Sequence, residues 1–426
     1  MRLQKKYLAI AISALFVSTA TPLSSTAYAQ GYEIIDLGTL PGALSATVND
    51  MNEQGNFVGV GYNIVDIPLR VELLNPDDYE SIEDLNNLTA DEYLTVRNSL
   101  LSRSGGLRSP MVQKLTQYSG LWYNGGMTSI NDSLDIIEPA TGLLSRSVNV
   151  LLHGINNNNQ AVGELRSPFV QVYGVDQNND PATYFVRDQF PQALWSNGVD
   201  HIELNGDSGL TYGGTARAYA INDNNQMVGY ASIADTERLV NAYASCTNPE
   251  STSAHLPLGA CMYGVWANAE YEGAKRIPLY TESAYIWELD ATGAVLNQRS
   301  LGMAPTILDE NEGKEEAEQV SGTVRSAALD INNNGVAVGF TSFDGPFSVN
   351  YATIFANDTA EWIIPDTVPG YIQSKASHIN DNGFITGYAM KVNFQYPRER
   401  MFIAHTDGRE VTFPMGFFSD SAWRPR

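Results

Sequence analysis

Only two cysteines, Cys246 and Cys261, occur in the 426 residues. That excludes a Cys-rich zinc framework or a mini-scaffold stapled by several disulfides, each of which needs at least four. A metal site built on this pair would need two further ligands, and only His255 lies between them. In an oxidising compartment a lone pair inside one long connection is most simply a disulfide, worth roughly 3 kcal/mol by the loop-entropy model. Histidine is scarce too, with five scattered residues and no His-Glu-x-x-His pair to seat zinc. Basic residues are outnumbered, 25 Lys+Arg against 48 Asp+Glu, for a net charge of −23. Phosphate binding needs a basic footprint, so nucleic acid is excluded as a default partner. The acid itself reads as solubility in an ionic exterior.

Long apolar runs are also missing after the first 29 residues. Those residues have the grammar of a secretory signal: Arg2, Lys5 and Lys6, then the apolar Tyr7 to Val17, then Ala27-Tyr28-Ala29, with cleavage expected after Ala29. A membrane anchor would need about 18 to 20 apolar residues, and Ser13, Ser18, Thr19 and Pro22 interrupt this stretch. Removing three basic residues and no acid takes the mature chain from −23 to −26. The sequence therefore predicts a secreted or periplasmic protein with no transmembrane segment after processing. At 43% apolar and 10% aromatic residues it can bury a large core and is not a disordered acidic tail.

What the chain does have is a nine-residue motif, Ile-Asn, a polar turn and Val-Gly, in five copies. They are Met51-Asn52 to Val58-Gly59, Ile155-Asn156 to Val162-Gly163, Ile221-Asn222 to Val228-Gly229, Ile331-Asn332 to Val338-Gly339, and Ile379-Asn380 to Thr386-Gly387. Each reads as a hairpin whose Asn and Gly supply positive φ at the turn. After each comes a segment ending in an aromatic (Leu121-Trp122, Leu194-Trp195, Ile286-Trp287, Ile354-Phe355, Phe402-Ile403), then a second turn and a short strand. Trp122, Trp195 and Trp287 read as one recurring core position, with sugar stacking as the alternative use. Tyr32 to Leu37 resembles the closing strands.

Four antiparallel strands per unit is the content of a propeller blade. The motif asparagines are 104, 66, 110 and 48 residues apart; the shortest spacing suits a blade of roughly 40 to 50 residues and not a solenoid coil of roughly 20 to 29. The expectation is an all-β chain: signal 1–29, then one β-propeller domain over 30–426 with about five four-stranded blades. Insertions at 63–118 and 231–283 fall between the second and third strands and so emerge on one face, where binding concentrates. The first carries helical spacing at Pro76 to Leu85 and Thr89 to Arg97. The second contains Val265-Trp266 and Lys275 to Leu279, which resemble half of a degenerate sixth blade.

Asp36-Leu37-Gly38-Thr39-Leu40-Pro41-Gly42 followed by this repeat is similar to the HAF-repeat family, the probable extracellular repeat proteins. The His-Ala-Phe tripeptide of that family is degraded here to Ser283-Ala284-Tyr285 and Tyr351-Ala352-Thr353. The resemblance implies bacterial secretion and a β-repeat fold, and it transfers no catalytic residues.

Signals for chemistry are thin. Gly206-Asp207-Ser208-Gly209 echoes a serine-protease loop without a matching His, and reads as an ordinary turn. Asp330, Asn332 and Asn334 open like a calcium loop, but its twelfth position is Thr341 and not Glu. The strands expected nearest the propeller axis carry Asp330 and little other acid, which gives a glycosidase pair no support. The sequence points to a non-catalytic binding or envelope-associated module for an extracellular protein or carbohydrate. A carbohydrate-active enzyme and a calcium-stabilised adhesin are the alternatives.

Overall fold

A computed structural model describes most residues between 40 and 413; the longer stretches left out are 1–39, 68–78, 100–112, 306–322, 364–370 and 414–426. The cleavage site after Ala29, the strand expected at Tyr32 to Leu37 and much of the connection 63–118 lie outside the described residues. The chain is all-β in several sheets, with few helices.

Unit 1 is the antiparallel sheet β1 (Ser45–Met51), β2 (Phe57–Ile67), β3 (Gln113–Tyr123) and β4 (Met127–Ser129), in sequence order. A two-residue β5 (Ile136–Ile137) leads to unit 2: β6 (Leu144–Ile155), β7 (Ala161–Val175), β8 (Pro181–Arg187), β9 (Gln192–Ser196) and β10 (His201–Leu204). Here β8 folds back along the far part of β7, and β9 takes the near part. Unit 3 has β11 (Ala216–Ile221), β12 (Gln226–Asp235), helices α1 (Glu237–Thr247) and α2 (Leu258–Ala267), the small hairpin β13 (Glu270–Glu272) and β14 (Lys275–Ile277), then β15 (Tyr280–Leu289) and β16 (Val295–Gly302). Unit 4 is β17 (Thr323–Ile331), β18 (Ala337–Phe343), β19 (Val349–Ala356) and β20 (Thr359–Trp362). Unit 5 is β21 (Tyr371–Ile379), β22 (Phe384–Asn393) and β23 (Tyr396–His405), with a bridge from Ile403 to Thr412 in the place of a fourth strand.

The motif glycine has a steric cause. In every unit the first pairing slips by one residue just before the Ile-Asn turn, at Val48/Asp50, Leu152/Gly154, Ala218/Ala220, Ala328/Asp330 and Ala376/His378. Opposite this bulge a Cβ on Gly59, Gly163, Gly229, Gly339 or Gly387 would overlap the carbonyl oxygen of Thr47, Leu151, Arg217, Ala327 or Lys375. Positive φ falls instead on the fifth motif residue, at 57° to 84° for Gly55, Asn159, Asn225, Gly335 and Gly383. The motif asparagine is therefore not the residue that needs the left-handed region.

Units pack face to face. Alternation along a strand sends the eighth motif residue (Val58, Val162, Val228, Val338) to one face and the first (Ile155, Ile221, Ile331, Ile379) to the other, so each Val meets the following unit's Ile in a shared core. Each such side chain contributes roughly 1.5–3 kcal/mol when fully buried.

Two expectations need correction. Trp287 does not share a position with Trp122 and Trp195: those two pair with Val58 and Val162, whereas Trp287 pairs with Met227 and it is Ile286 that pairs with Val228. A one-residue offset in a strand exchanges faces, so Trp195 and Trp287 reach the same core from opposite units. All three indoles are buried. Val265-Trp266, expected as half of a blade, lies at the end of α2, and Lys275 to Ile277 pairs, among the described residues, with β13 alone.

Candidate functional site

The five motif turns are laced to one another by side-chain amides. Within a turn the second-position Asn accepts from the backbone: Asn222 Oδ1 takes the N–H groups of Asn224 at 3.0 Å and Gln226 at 2.9 Å. Its Nδ2 then donates to the corresponding carbonyl of the next unit. The series runs Asn52 to Asn156 (3.1 Å), Asn156 to Asn222 (3.0 Å), Asn222 to Asn332 (2.9 Å) and Asn332 to Asn380 (3.1 Å). The third residue's N–H donates to the next unit's third side chain, as from Asp223 to Asn333 Oδ1 at 2.9 Å. The fourth side chain donates to the next third carbonyl, as from Asn224 Nδ2 to Asn333 O at 2.8 Å.

This ladder occupies the calcium candidates. Asp330 Oδ1 accepts from Ile331 N and Oδ2 from Ile379 N, both at 3.0 Å. Asn332 Oδ1 accepts from Asn334 N and Val336 N, while Asn334 Nδ2 donates to Asp381 O. Among the described residues no cluster of three or more His, Cys, Asp or Glu side chains is arranged to hold a metal.

The first hairpins also carry a line of charge. Glu164, directly after the motif glycine of unit 2, is fully buried; its two oxygens face Arg166 Nε at 3.0 Å and Arg217 Nε of unit 3. Arg217 lies 5.9 Å from the centre of the Tyr230 ring. His153 packs 5.4 Å from Tyr219, and burial holds its imidazole below the ordinary value, with Glu164 opposing. Burial raises the Tyr230 phenol. Across units 4 and 5, Arg325 and Lys375 lie 5.7 and 4.7 Å from the ring centre of the buried Phe340. Burial, then the neighbouring Arg325, depresses the Lys375 ammonium. Glu282, the register neighbour of Arg325, accepts from the Thr215 hydroxyl at 3.1 Å. Among the described residues neither Arg325 nor Lys375 has a carboxylate within ion-pair distance. With both oxygens facing guanidinium groups, Glu164 is placed to balance their charge.

A second feature is the unit 3 insertion. Thr236 caps α1, and Cys246 and Cys261 are joined as a disulfide between the helices with Cα atoms 5.8 Å apart. A cleft of about 680 Å³ lies between them, lined by Arg238, Asn241, Leu256 and Glu270 among others. Arg238 is already committed there, to Glu270 at 2.9 Å and to the carbonyls of Ile277, Val265 and Asn268 at 2.7, 3.1 and 2.7 Å. The Gly206 to Gly209 loop is tied down by Tyr285, whose hydroxyl donates to Asp207 at 2.8 Å, and Ser208 is exposed.

Sequence reasoning missed Glu164, Arg217, Arg325 and Lys375. A signal was present: the residue after the motif glycine is Val60, Glu164, Tyr230, Phe340 or Tyr388, and the fourth before the motif's first residue is Thr47, Leu151, Arg217, Ala327 or Lys375. Two of the cross-unit contacts, Glu164 with Arg217 and Phe340 with Lys375, join these positions in neighbouring units.

Fold and site together define an all-β repeat protein whose units are joined through buried amides and, between units 2 and 3, the buried Glu164–Arg217 ion pair. The chain matches, over residues 4–426, the family described as "Protein of unknown function (DUF3466)", and it belongs to that family. A comparison with curated proteins finds no match. No helix among the described residues is long and apolar enough to cross a membrane, and the disulfide is consistent with an oxidising compartment.

Proposed function

We propose that this protein is a secreted or periplasmic binding module, that its units are blades of a β-propeller of about five per chain, and that it holds an acidic carbohydrate of the cell envelope without transforming it. The observation that carries the reading is the pair Arg325 and Lys375, two cations on first hairpins with no described carboxylate partner in a chain of net charge −23. Like charges side by side repel and cost stability, an expense that an anionic ligand would offset. The repeat order supports the blade reading, and the signal grammar, the HAF-repeat resemblance and the disulfide support the location. Committed as it is to two arginines, Glu164 lends no support to a glycosidase. Binding should be measured by calorimetry at about 0.15 M salt with an oligogalacturonate and with a neutral dextran fragment. The expected result is binding of the acidic oligomer, weakened at least tenfold by Lys375→Met, with no release of reducing ends. Equal binding of the neutral sugar, no binding of either, or turnover of a glycoside would overturn it.

A further inference from the structure

The four internal interfaces use the same positions each time, which allows the two outer faces of the run to be compared with them. The first motif residue is 0, 2, 0 and 3% exposed at Ile155, Ile221, Ile331 and Ile379, but 36% at Met51. Three residues earlier, Leu152, Ala218, Ala328 and Ala376 are all fully buried, whereas Val48 is 51% exposed. On the opposite side, Ile403 is 36% exposed where Trp122, Trp195 and Ile286 are buried and Ile354 is half-buried, and Met401 is 46% exposed where Ala193, Ala284 and Ala352 are buried. Unit 1 thus exposes the face that units 2 to 5 each bury, and unit 5 exposes the face that units 1 to 4 bury.

The amide ladder is open at the same two ends. At unit 5 three donors, Asn380 Nδ2, Asp381 N and Asn382 Nδ2, have no partner among the described residues, although their equivalents in every preceding unit are bonded. At unit 1 the carbonyls of Asn52 and Glu53 and the Glu53 carboxylate stand where the next set of acceptors would be. Donors at one end and acceptors at the other cannot pair like with like, so a two-fold contact is ruled out and a head-to-tail one is specified.

We propose that the outer face of unit 5 is an interaction surface for the outer face of unit 1 of a second copy of this chain. The contact continues the internal interfaces: Asn380 Nδ2 meets Asn52 O, and Met401 and Ile403 cover Val48 and Met51. This goes beyond ligand binding, and it differs from a ring closed within one chain, which would bury the same faces in a monomer.

In the internal interface of units 1 and 2, a side chain on Gly120 would meet Val150; the counterparts at the open ends are Met401 and Ala46, both exposed. Ala46→Cys and Met401→Cys chains are made separately, mixed and mildly oxidised, with Val199→Cys replacing either one as the control. The expected result is a covalent dimer from the Ala46→Cys and Met401→Cys mixture and none with the control. Sedimentation mass should rise with concentration at about 0.15 M salt, where charge repulsion is screened beyond about 8 Å, and should stay at the monomer value in Ile403→Glu with its melting temperature unchanged. A doubly substituted chain that cross-links only to itself, with no dimer from the mixture, would show a ring closed within one chain and overturn the proposal while leaving the propeller reading intact. No cross-link in either arrangement, or a monomer at every concentration, overturns it as well.

Discussion

Asn222 accepts two backbone N–H groups of its own turn and donates to the next unit, all from a side chain that is almost fully buried. Aspartate could replace the acceptor but not the donor, and Ser or Ala would leave buried amides and a carbonyl without partners. Losing a buried partner costs roughly 1–3 kcal/mol. Asn222→Ala should therefore lower the unfolding free energy by about 2–3 kcal/mol in urea titrations. Asn380→Ala, whose donor reaches no described acceptor, should cost about half as much when the chain is measured dilute. Equal losses would mean that the asparagine matters only to its own turn. The sequence made the recurrence of this residue plain but suggested the wrong cause, since a turn reading explains Asn at any position of positive φ. The second requirement, a donor aimed at another unit 48 to 110 residues away, leaves no local trace.

The unit 3 insertion is held less by a repeat than by its own contacts: Leu239, Cys246, Cys261 and Met262 pack with Phe190 and Tyr280 around the disulfide. Reduction should remove up to roughly 3 kcal/mol of loop-closure stabilisation from this element alone. Limited proteolysis in dithiothreitol is expected to cut first between 237 and 268, with the four-stranded units surviving; simultaneous loss of both would show that the insertion is structurally integral to the stack. The all-β character and the five motif hairpins were legible because Asn-Gly turns and alternating segments repeat. Val265-Trp266 was misread because a short apolar pair suits helix and strand equally. The Trp287 offset escaped because a Leu-Trp or Ile-Trp pair looks the same in either register, and only cross-strand pairing reveals the face.

At the scale of the whole molecule, the stack draws charges from different units, Glu164 from unit 2 and Arg217 from unit 3, with His153 half-buried beside them. Separation in sequence hid this cluster, although the repeat alignment holds both positions. Because the folded chain holds His153 below its ordinary value near 6.5, the unfolded chain takes up that proton first as pH falls. Stability is therefore full above about 6.5 and declines as the pH drops toward the depressed value. Urea midpoints measured from pH 7.5 to 5 should fall, and His153→Gln should flatten part of that slope; an unchanged slope would remove His153 as the cause. The ladder has a further consequence for how such a chain changes length. Each of units 2 to 4 receives the same three hydrogen bonds from the unit before and offers the same three to the unit after, so an inner unit can be deleted or duplicated and the seam will close with identical bonds. A partial unit cannot, because it would leave a donor row facing no acceptors; variation among relatives should therefore come in whole units, with their connections free to lengthen residue by residue.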